Sequence, residues 1–323
     1  MPGGLSFVAR EWEHIVERSE FALIDWIRSR VVDRDPVKLG IGDDAAVLRS
    51  DAGRDWLVAT DMLMEGVDFT FPPATAELAG RKALAVNLSD IAAMGGRPTA
   101  AFVSVALPIA RGVEFAKSLH VGLLDLADQH GVVLAGGDTN SWHGPLVINV
   151  AVVGEPWGTR AITRSGAKPD DWIFVTGSLG GSIAGRHLTF EPRLAESKVL
   201  TELVDLHAMI DISDGLAADL HHVLQQSHVG AVIEAESIPI SEAAAQSRDA
   251  RSPLQHALSD GEDFELLFVV SPEDGRRLLA DWHEPTPITC IGKITAKEGC
   301  WLRTSTQLEP LPPLGWTHSL GND

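Results

Sequence analysis

Six short segments of the sequence place acidic residues beside glycine, serine, threonine or asparagine in apolar surroundings. They are residues 42–46, 59–61, 87–90, 136–140, 211–215 and 261–263. A carboxylate in such surroundings is costly unless it is paired, hydrogen-bonded or bound to a cation. Each segment alone is more often a turn or a helix cap, but six of them in one chain favour a shared chemical role.

The chemistry that these segments predict is the binding of a hard cation. Carboxylate oxygens without a matching supply of His or Cys are typical ligands of Mg²⁺. Because each Mg²⁺ takes one or two carboxylates and fills its other positions with water and phosphate oxygens, dispersed aspartates indicate several ions around a polyphosphate. Asp90 is the strongest single candidate, since it lies inside a predicted helix three residues after Asn87. Asp214 could simply cap the helix that follows it.

The usual phosphate-binding and nucleophile motifs are missing from the sequence. It has no Gly-x-x-x-x-Gly-Lys-Ser/Thr loop, no Gly-x-Gly-x-x-Gly opening of a dinucleotide fold, no His-Glu-x-x-His and no Gly-x-Ser-x-Gly. The glycine-rich turn 177–181 could cradle an anion and open a helix, but we favour a tight junction packed by small residues. Lys82 and Arg164 are candidate phosphate partners. His221 and His222 are expected to be exposed rather than a ligand pair.

The elements that must position these residues alternate between helices and strands. Helices are predicted over residues 11–31, 76–94, 113–129 and 215–226 and after Ser271, and strands over 45–48, 56–60, 101–107, 132–135, 146–152, 172–175, 264–270 and 288–294. The run Gly-Glu-Pro-Trp-Gly at 154–158 predicts a domain boundary. We therefore expect two domains, 1–155 and 156–323, each of mixed α/β (α+β) class.

The composition narrows the possible partners and compartments. The 323 residues carry 45 Asp and Glu against 26 Lys and Arg, a net charge of −19, which argues against nucleic acid and anionic membranes as partners. Cys290 and Cys300 cannot build a disulfide framework or a four-cysteine zinc site. Residues 1–10 lack the pattern of a signal peptide, and the apolar runs are shorter than the ~18–20 residues of a membrane span. These features predict a soluble, cytoplasmic protein.

Taken together, the segments resemble the thiamine-monophosphate kinase family, ATP-dependent enzymes that make thiamine diphosphate. The family belongs to a superfamily with aminoimidazole ribonucleotide synthetase, selenophosphate synthetase and the hydrogenase-maturation synthetases. The resemblance runs from Ser19 to Trp316 and is carried in matching order and spacing by residues 40–46, 60–63, 65–67, 87–95, 136–139, 211–216 and 261–266. It implies two aminoimidazole ribonucleotide synthetase-like domains, a homodimer formed through the N-terminal domains, and ATP and metals bound between the two domains of each subunit.

The family likeness also implies roles for particular residues. Several Mg²⁺ ions would be held by Asp43, Ala59, Thr60, Asp61, Asp90, Asp138, Asp211 and Asp214. ATP would be contacted by Gly137, Asp138, Arg164 and Ser213, and the thiamine phosphate by Asp68, Glu262 (or its neighbour Asp263) and Trp316. The chain departs from the family pattern at Asp68, where the family often has His.

These roles predict in-line transfer of the ATP γ-phosphoryl group to the phosphate of thiamine monophosphate, the final step of thiamine diphosphate biosynthesis. The acceptor oxygen is already anionic near neutral pH, so no residue is assigned as a catalytic base. One alternative is another ATP-dependent synthetase of the superfamily; selenophosphate synthetase is disfavoured because no Cys precedes the Gly-Asp-Asp run. The other is a non-catalytic divalent-cation-binding protein, which the dispersion of the acids and the lack of a twelve-residue Ca²⁺ loop disfavour.

Overall fold

The computed structural model describes residues 20–50 and 53–317. The α-helices in these ranges are α1 Glu20–Arg28, α2 Ala76–Ala93, α3 Gly112–His130, α4 Leu194–Leu203, α5 Leu216–Ser227, α6 Glu242–Gln246, α7 Pro253–Ser259 and α8 Pro272–Asp281. The strands are β1 Val37–Leu39, β2 Ala46–Leu48, β3 Trp56–Met64, β4 Gly96–Pro108, β5 Val133–Trp142, β6 Val147–Pro156, β7 Trp172–Thr176, β8 Leu206–Asp211, β9 Gly230–Glu234, β10 Leu266–Val270, β11 Ile288–Thr295, β12 Gly299–Arg303 and β13 Leu308–Pro310. Short 3₁₀ helices occur at Ile109–Arg111, Ser182–Ala184, Arg186–Leu188 and Ala235–Ser237.

The strands form two sheets, one in each half of the chain. The first has the order β1-β2-β3-β6-β4-β5 and the second the order β13-β12-β9-β11-β7-β10-β8. Strands β4 and β5 are parallel and are connected through α3, as a parallel pair requires. The two mixed sheets with their helices confirm the expected α/β class. The division of the chain at 155/156 stays a prediction.

Helix α2 packs between the two halves of the molecule. It begins after Thr75, whose side chain accepts the backbone N–H of Leu78 as an N-cap. It contacts β3, β4 and β6 of the first sheet and β8, α4 and the turn at 186–188 in the second half. Because 14 of its 18 residues are buried, the helix is apolar on nearly all sides. Polar and charged residues on such a helix are costly, so they are candidates for function.

Both faces of the second sheet are covered. Phe174 and Phe268 stack with ring centroids 5.4 Å apart on the face that joins the core of the first half. Ile173 and Val269, one position along each strand, point to the opposite face and pack with Leu220 of α5. The first sheet differs, because Met62, Phe102, Val133 and Trp142 leave between 44% and 64% of their surface exposed.

The predicted helices and strands are largely present, with ends shifted by a few residues. The predictions did not include β1, β9, β12, β13, α4, α6 or α7. The proposed helix opening after the turn 177–181 is wrong, because two 3₁₀ turns stand there instead. Of the predicted opening helix, residues 11–19 lie outside the described ranges. Among the residues described, no helix has the length and apolar character needed to cross a bilayer.

Candidate active site

A cavity of about 1110 Å³ lies between the two halves of the chain. Its walls come from β3 and the loop after it, one face of α2, and the loops that follow β8 and α7. The predicted site residues among its lining are Asp61, Asp68, Asp90, Asp211, Ser213, Asp214, Glu262 and Trp316. Pockets for one small molecule usually have volumes of roughly 300–1,000 Å³, so this cavity has room for two ligands.

One face of helix α2 forms the floor of the cavity. Lys82, Val86 and Asp90 all line it, and their four-residue spacing places them on the same side of the helix. The side-chain oxygen of Asn87 accepts the backbone N–H of Asp61 at 3.1 Å. This bond fastens β3 to the helix, and the side chains of Asp61 and Asp90 are hydrogen-bonded to each other.

An acidic cluster occupies one end of the cavity. Carboxylate oxygens of Asp44, Asp90 and Asp211 lie within 4.8 Å of one another. The Asp211 carboxylate accepts a hydrogen bond from Ser89 Oγ at 2.5 Å. Asp44 Oδ2 is buried and has no hydrogen-bond partner among the described residues, a costly arrangement. The possible metal ligands in this cluster are all carboxylate oxygens, and one of them is buried without a hydrogen bond. Such a set fits a hard cation such as Mg²⁺.

The pKa values of the aspartates at this end of the cavity show that ionised carboxylates are strongly disfavoured there unless a cation is bound. Burial, followed by the charge of Asp44, raises the pKa of Asp211 to about 8. Burial raises the pKa of Asp61 to about 6. The pKa of Asp90 lies well above its ordinary value, because of burial first and the charge of Asp61 second. A bound cation reverses this balance, since it stabilises the ionised forms.

The structure distinguishes the two adjacent aspartates Asp43 and Asp44. The carboxylate of Asp43 accepts the backbone N–H groups of Asp44 at 3.2 Å and of Arg164 at 3.2 Å, which ties it to the segment between the sheets. Asp44 instead enters the acidic cluster, and its Oδ1 accepts a hydrogen bond from Arg164 Nη2 at 2.6 Å. Sequence reasoning selected Asp43 and missed Asp44, because adjacency alone does not show which carboxylate joins Asp90 and Asp211.

In a second group of possible ligands, the sequence identified Asp214 but not Asp219 or His222. Asp214, Asp219 and His222 each offer an atom within 4.8 Å of the others. Asp219 is buried, and its Oδ2 accepts the backbone N–H groups of Asp214 and Gly215, each at 3.1 Å. Burial and then the charge of Arg164 lower the pKa of His222 to about 4. The expectation that His221 and His222 are exposed is wrong, since both are half-buried.

Asp68, Glu262 and Trp316 line another part of the same cavity. Glu262 has a φ of 58°, a left-handed conformation that is uncommon for a residue other than glycine. Such strained positions cluster at functional sites, and here the strain places Glu262 in the cavity lining. Trp316 is 56% exposed at the cavity, and its backbone N–H binds the Asp214 carbonyl at 2.9 Å.

Asp263, the alternative to Glu262, lies elsewhere. It is 1% exposed and is not among the cavity-lining residues. Its carboxylate accepts Ser182 Oγ at 2.5 Å and the Gly180 N–H at 2.8 Å, and the Gly181 N–H binds Asp260 at 2.8 Å. These amides are therefore used inside the protein, which agrees with the interpretation of turn 177–181 as a tight junction.

Like Asp43, Arg164 and Asp263, four further predicted residues do not line the cavity. Ala59 is buried in the core, while Thr60 is exposed and donates to the Val150 carbonyl at 3.2 Å. Gly137 and Asp138 are exposed on the edge strand β5, three strands from β3, a separation of about 14 Å at the usual strand spacing. Their roles stay predictions.

The fold and the site together identify the class of protein to which the chain belongs. The family model described as AIR synthase related protein, N-terminal domain, matches residues 42–155, and the corresponding C-terminal domain model matches residues 168–303. Both matches fall on the two sheets and on the loops that carry the acidic residues. The chain is therefore built from two AIR synthase related domains.

Comparison with individual proteins identifies the family within this class. A thiamine-monophosphate kinase of Rhodopirellula baltica is 42% identical over an alignment of 316 residues that covers 93% of this chain and 97% of the relative. The thiamine-monophosphate kinase of Escherichia coli strain K12 is 40% identical over 314 residues, covering 88% and 93%. A solved structure of AaThiL complexed with AMPPCP and TMP matches with a TM-score of 0.80 at 30% identity, covering 94% of this chain and 97% of that one. The chain belongs to the thiamine-monophosphate kinase family, and its prediction as a kinase is confirmed.

Proposed function

We propose that this protein transfers the γ-phosphoryl group of ATP to the phosphate of thiamine monophosphate, giving thiamine diphosphate and ADP. The observation that carries the proposal is a single cavity with an acidic cluster at one end and an aromatic, partly apolar end, joined by one face of α2. Members of the same family are named for this substrate. The AaThiL structure holds the ATP analogue AMPPCP together with TMP, and we take the same pair of ligands for this chain.

Mg²⁺ is the cofactor that the acidic end fits. Asp44, Asp61, Asp90, Asp211 and Asp214 would hold it, since the first four carboxylates converge and Asp214 lines the same cavity. When bound, the ions would neutralise the phosphate oxygens of donor and acceptor, which otherwise repel each other. Asp43, Ala59, Thr60 and Asp138 have no support from the cavity as ligands and stay predictions.

Nucleotide binding is proposed for Ser213 and Arg164. Ser213 lines the cavity beside Asp211 and Asp214. Arg164 donates to Asp44 and lies against the acidic cluster. A cation that takes over Asp44 would release the guanidinium for a phosphate, to which its planar fork is well matched. Gly137, on the edge strand, stays a predicted nucleotide contact.

The acceptor end fits an organic cation. The carboxylates of Asp68 and Glu262 carry formal negative charges, against the one positive charge of Lys82 beside them. The thiazolium ring of thiamine monophosphate is positively charged, and Trp316 offers an aromatic face to it. The acceptor phosphate is already ionised near neutral pH. The chain therefore needs residues that orient the substrates and exclude water, and no residue that removes a proton.

We also propose that the protein is a homodimer and that it is located in the cytoplasm. The outer face of the first sheet, defined by Met62, Phe102, Val133 and Trp142, is apolar and exposed. Exposed apolar patches of this kind often mark protein interfaces, and we propose that a second copy of the chain covers this one. The net charge of −19 disfavours nucleic acid as a partner.

Product analysis tests the function directly. The protein is mixed with ATP, Mg²⁺ and thiamine monophosphate, and thiamine diphosphate and ADP are quantified by chromatography. We expect the two products in equal amounts and none when Mg²⁺ is removed by a chelator. ATP consumption without thiamine diphosphate would favour another synthetase of the superfamily, and no ATP consumption would favour a cation-binding protein without activity.

A further inference from the structure

Lys82 is a fully buried cation at the acceptor end of the cavity. Its side chain is 0% exposed. Its ammonium donates to the Asp68 carbonyl at 2.7 Å, lies 3.1 Å from His187 Nδ1 and forms an ion pair with Glu262 Oε2. The ammonium is thus enclosed by a carbonyl, a ring nitrogen and a carboxylate of the protein itself. The sequence-based suggestion that Lys82 binds phosphate is therefore not supported.

The contacts of Lys82 determine which charge faces Glu262. Because an ammonium can only donate, a hydrogen bond between it and His187 Nδ1 requires that nitrogen to accept. The same Nδ1 is 3.6 Å from Glu262 Oε2, beyond a normal hydrogen bond. The ammonium of Lys82 is therefore closer to the Glu262 carboxylate than the His187 ring is.

Four separate segments meet at this ammonium. Lys82 comes from α2, Asp68 from the loop after β3, His187 from a 3₁₀ turn and Glu262 from the strained loop after α7. Two of them belong to the first half of the chain and two to the second. Glu262 Oε2 is buried, although 25% of the side chain is exposed, so the exposed part belongs to its other atoms, on the cavity side.

We propose that Lys82 is a positioning residue for the acceptor substrate. By holding Oε2 of Glu262, it fixes the rest of that carboxylate toward the cavity. By holding the Asp68 carbonyl, it places Asp68 and Glu262 around the same point. The inference rests on the proposed function, because it assigns the organic part of the acceptor to this point.

The same geometry separates Lys82 from nucleotide binding. Lys82 and Asp90 lie eight residues apart on α2, a distance of about 12 Å along the helix axis. Glu262 donates its backbone N–H to the Ser213 carbonyl at 2.7 Å, but the contacts of Lys82 itself are with Asp68, His187 and Glu262. A change at Lys82 should therefore alter the binding of the acceptor much more than that of the metal or the nucleotide.

The test compares Lys82→Met, Glu262→Gln and the double variant with the wild type. Methionine has a similar length and no charge. We expect Lys82→Met to raise the KM for thiamine monophosphate by about tenfold or more, since breaking a buried charge pair strongly weakens binding. The KM for ATP should stay within about twofold and kcat within about threefold. Calorimetric titration with thiamine monophosphate should show the same loss without turnover. Lys117→Met, at a surface lysine 66% exposed, is the matched control.

The double variant separates positioning from folding. If Lys82 acts through Glu262, then Lys82→Met adds less than about twofold to the acceptor KM in the Glu262→Gln background. This comparison also serves if Lys82→Met alone does not fold, because the double variant leaves no unpaired buried charge. An unchanged acceptor KM in Lys82→Met, an equal rise in the KM for ATP, or full additivity would overturn the inference. A wild type that makes no thiamine diphosphate would instead refute the proposed function.

Discussion

Replacing Asp211 with Asn should stabilise the metal-free protein while removing its response to Mg²⁺. Burial and the charge of Asp44 raise the pKa of Asp211 to about 8, about four units above an ordinary aspartate. One unit corresponds to about 1.4 kcal/mol. At pH 8 the ionised carboxylate therefore costs the folded state up to about 5 kcal/mol relative to the unfolded chain.

The sign of the pH dependence follows from the direction of that shift. The folded protein binds the Asp211 proton more tightly than the unfolded chain does. The corresponding stability is present below about pH 4 and is lost as the pH rises through 8. Asparagine stays neutral at every pH, and its side-chain oxygen can still accept the bond from Ser89.

We expect metal-free Asp211→Asn to be more stable than the wild type at pH 8 by about 1–3 kcal/mol, because the amide still carries its own desolvation cost. For a protein of this size, this is a rise of several degrees in Tm. The proton-linked part of this difference falls by about 3–4 kcal/mol between pH 8 and pH 5 while the desolvation cost of the amide does not change, so the difference should disappear or reverse at pH 5. Added Mg²⁺ should raise the Tm of the wild type at pH 8 and that of the variant much less, and the variant should lose turnover.

Thermal unfolding measured from pH 5 to pH 8, with a chelator or with millimolar Mg²⁺, tests this expectation. Asp205→Asn is the matched control, because Asp205 directly precedes the same strand but is 71% exposed. It should change Tm little under any of these conditions. A metal-free Asp211→Asn that is less stable than the wild type at pH 8, or one that Mg²⁺ stabilises as strongly, would refute the reasoning.

Three further changes test other parts of the site. Arg164→Met should raise the KM for ATP by about tenfold; an unchanged KM would contradict the nucleotide role. It should also lower the metal-free Tm, because Asp44 loses its partner, and Mg²⁺ should restore that Tm. Trp316→Ala should raise the KM for thiamine monophosphate by about three- to tenfold, with Trp316→Phe close to the wild type; equal effects of both variants would argue against an aromatic contact. Phe102→Lys should shift the mass measured by light scattering from a dimer toward 34.6 kDa, and a stable dimer of this variant would exclude the outer sheet face as the interface.

Local sequence patterns were sufficient to predict most of the fold that positions the site. Helix α2 follows from the cap at Thr75 and the glycines after Met94, and β6 from the alternation of its apolar residues. Gly261 before Glu262 indicated a turn, although not that Glu262 itself takes the left-handed conformation. The edge elements β12 and β13 lack a strong pattern, since their positions depend on pairing with distant strands.

The sequence predicted the cation-binding chemistry of the candidate site better than it predicted which residues form the site. Motif spacing led to Asp61, Asp90 and Asp211, which converge. It did not lead to Asp219, which is one turn inside α5 and reaches back to the start of that helix. It also misplaced Asp263, because neighbouring residues in a loop can face opposite directions and only the tertiary structure decides which one lines the cavity.

The arrangement of α2 explains why one helix can serve both substrates. Lys82, Val86 and Asp90 line the cavity along one face, and they span about 12 Å at 1.5 Å per residue. The helix is held between both sheets, so this distance is fixed. An acceptor that meets Glu262 with its organic part and the acidic cluster with its phosphate must be long enough to cover this span, and inorganic phosphate is not. The same helix therefore sets the distance between the phosphate that reacts and the organic part that meets Glu262. The carboxylates of the acidic cluster lie at the end where cations can bind.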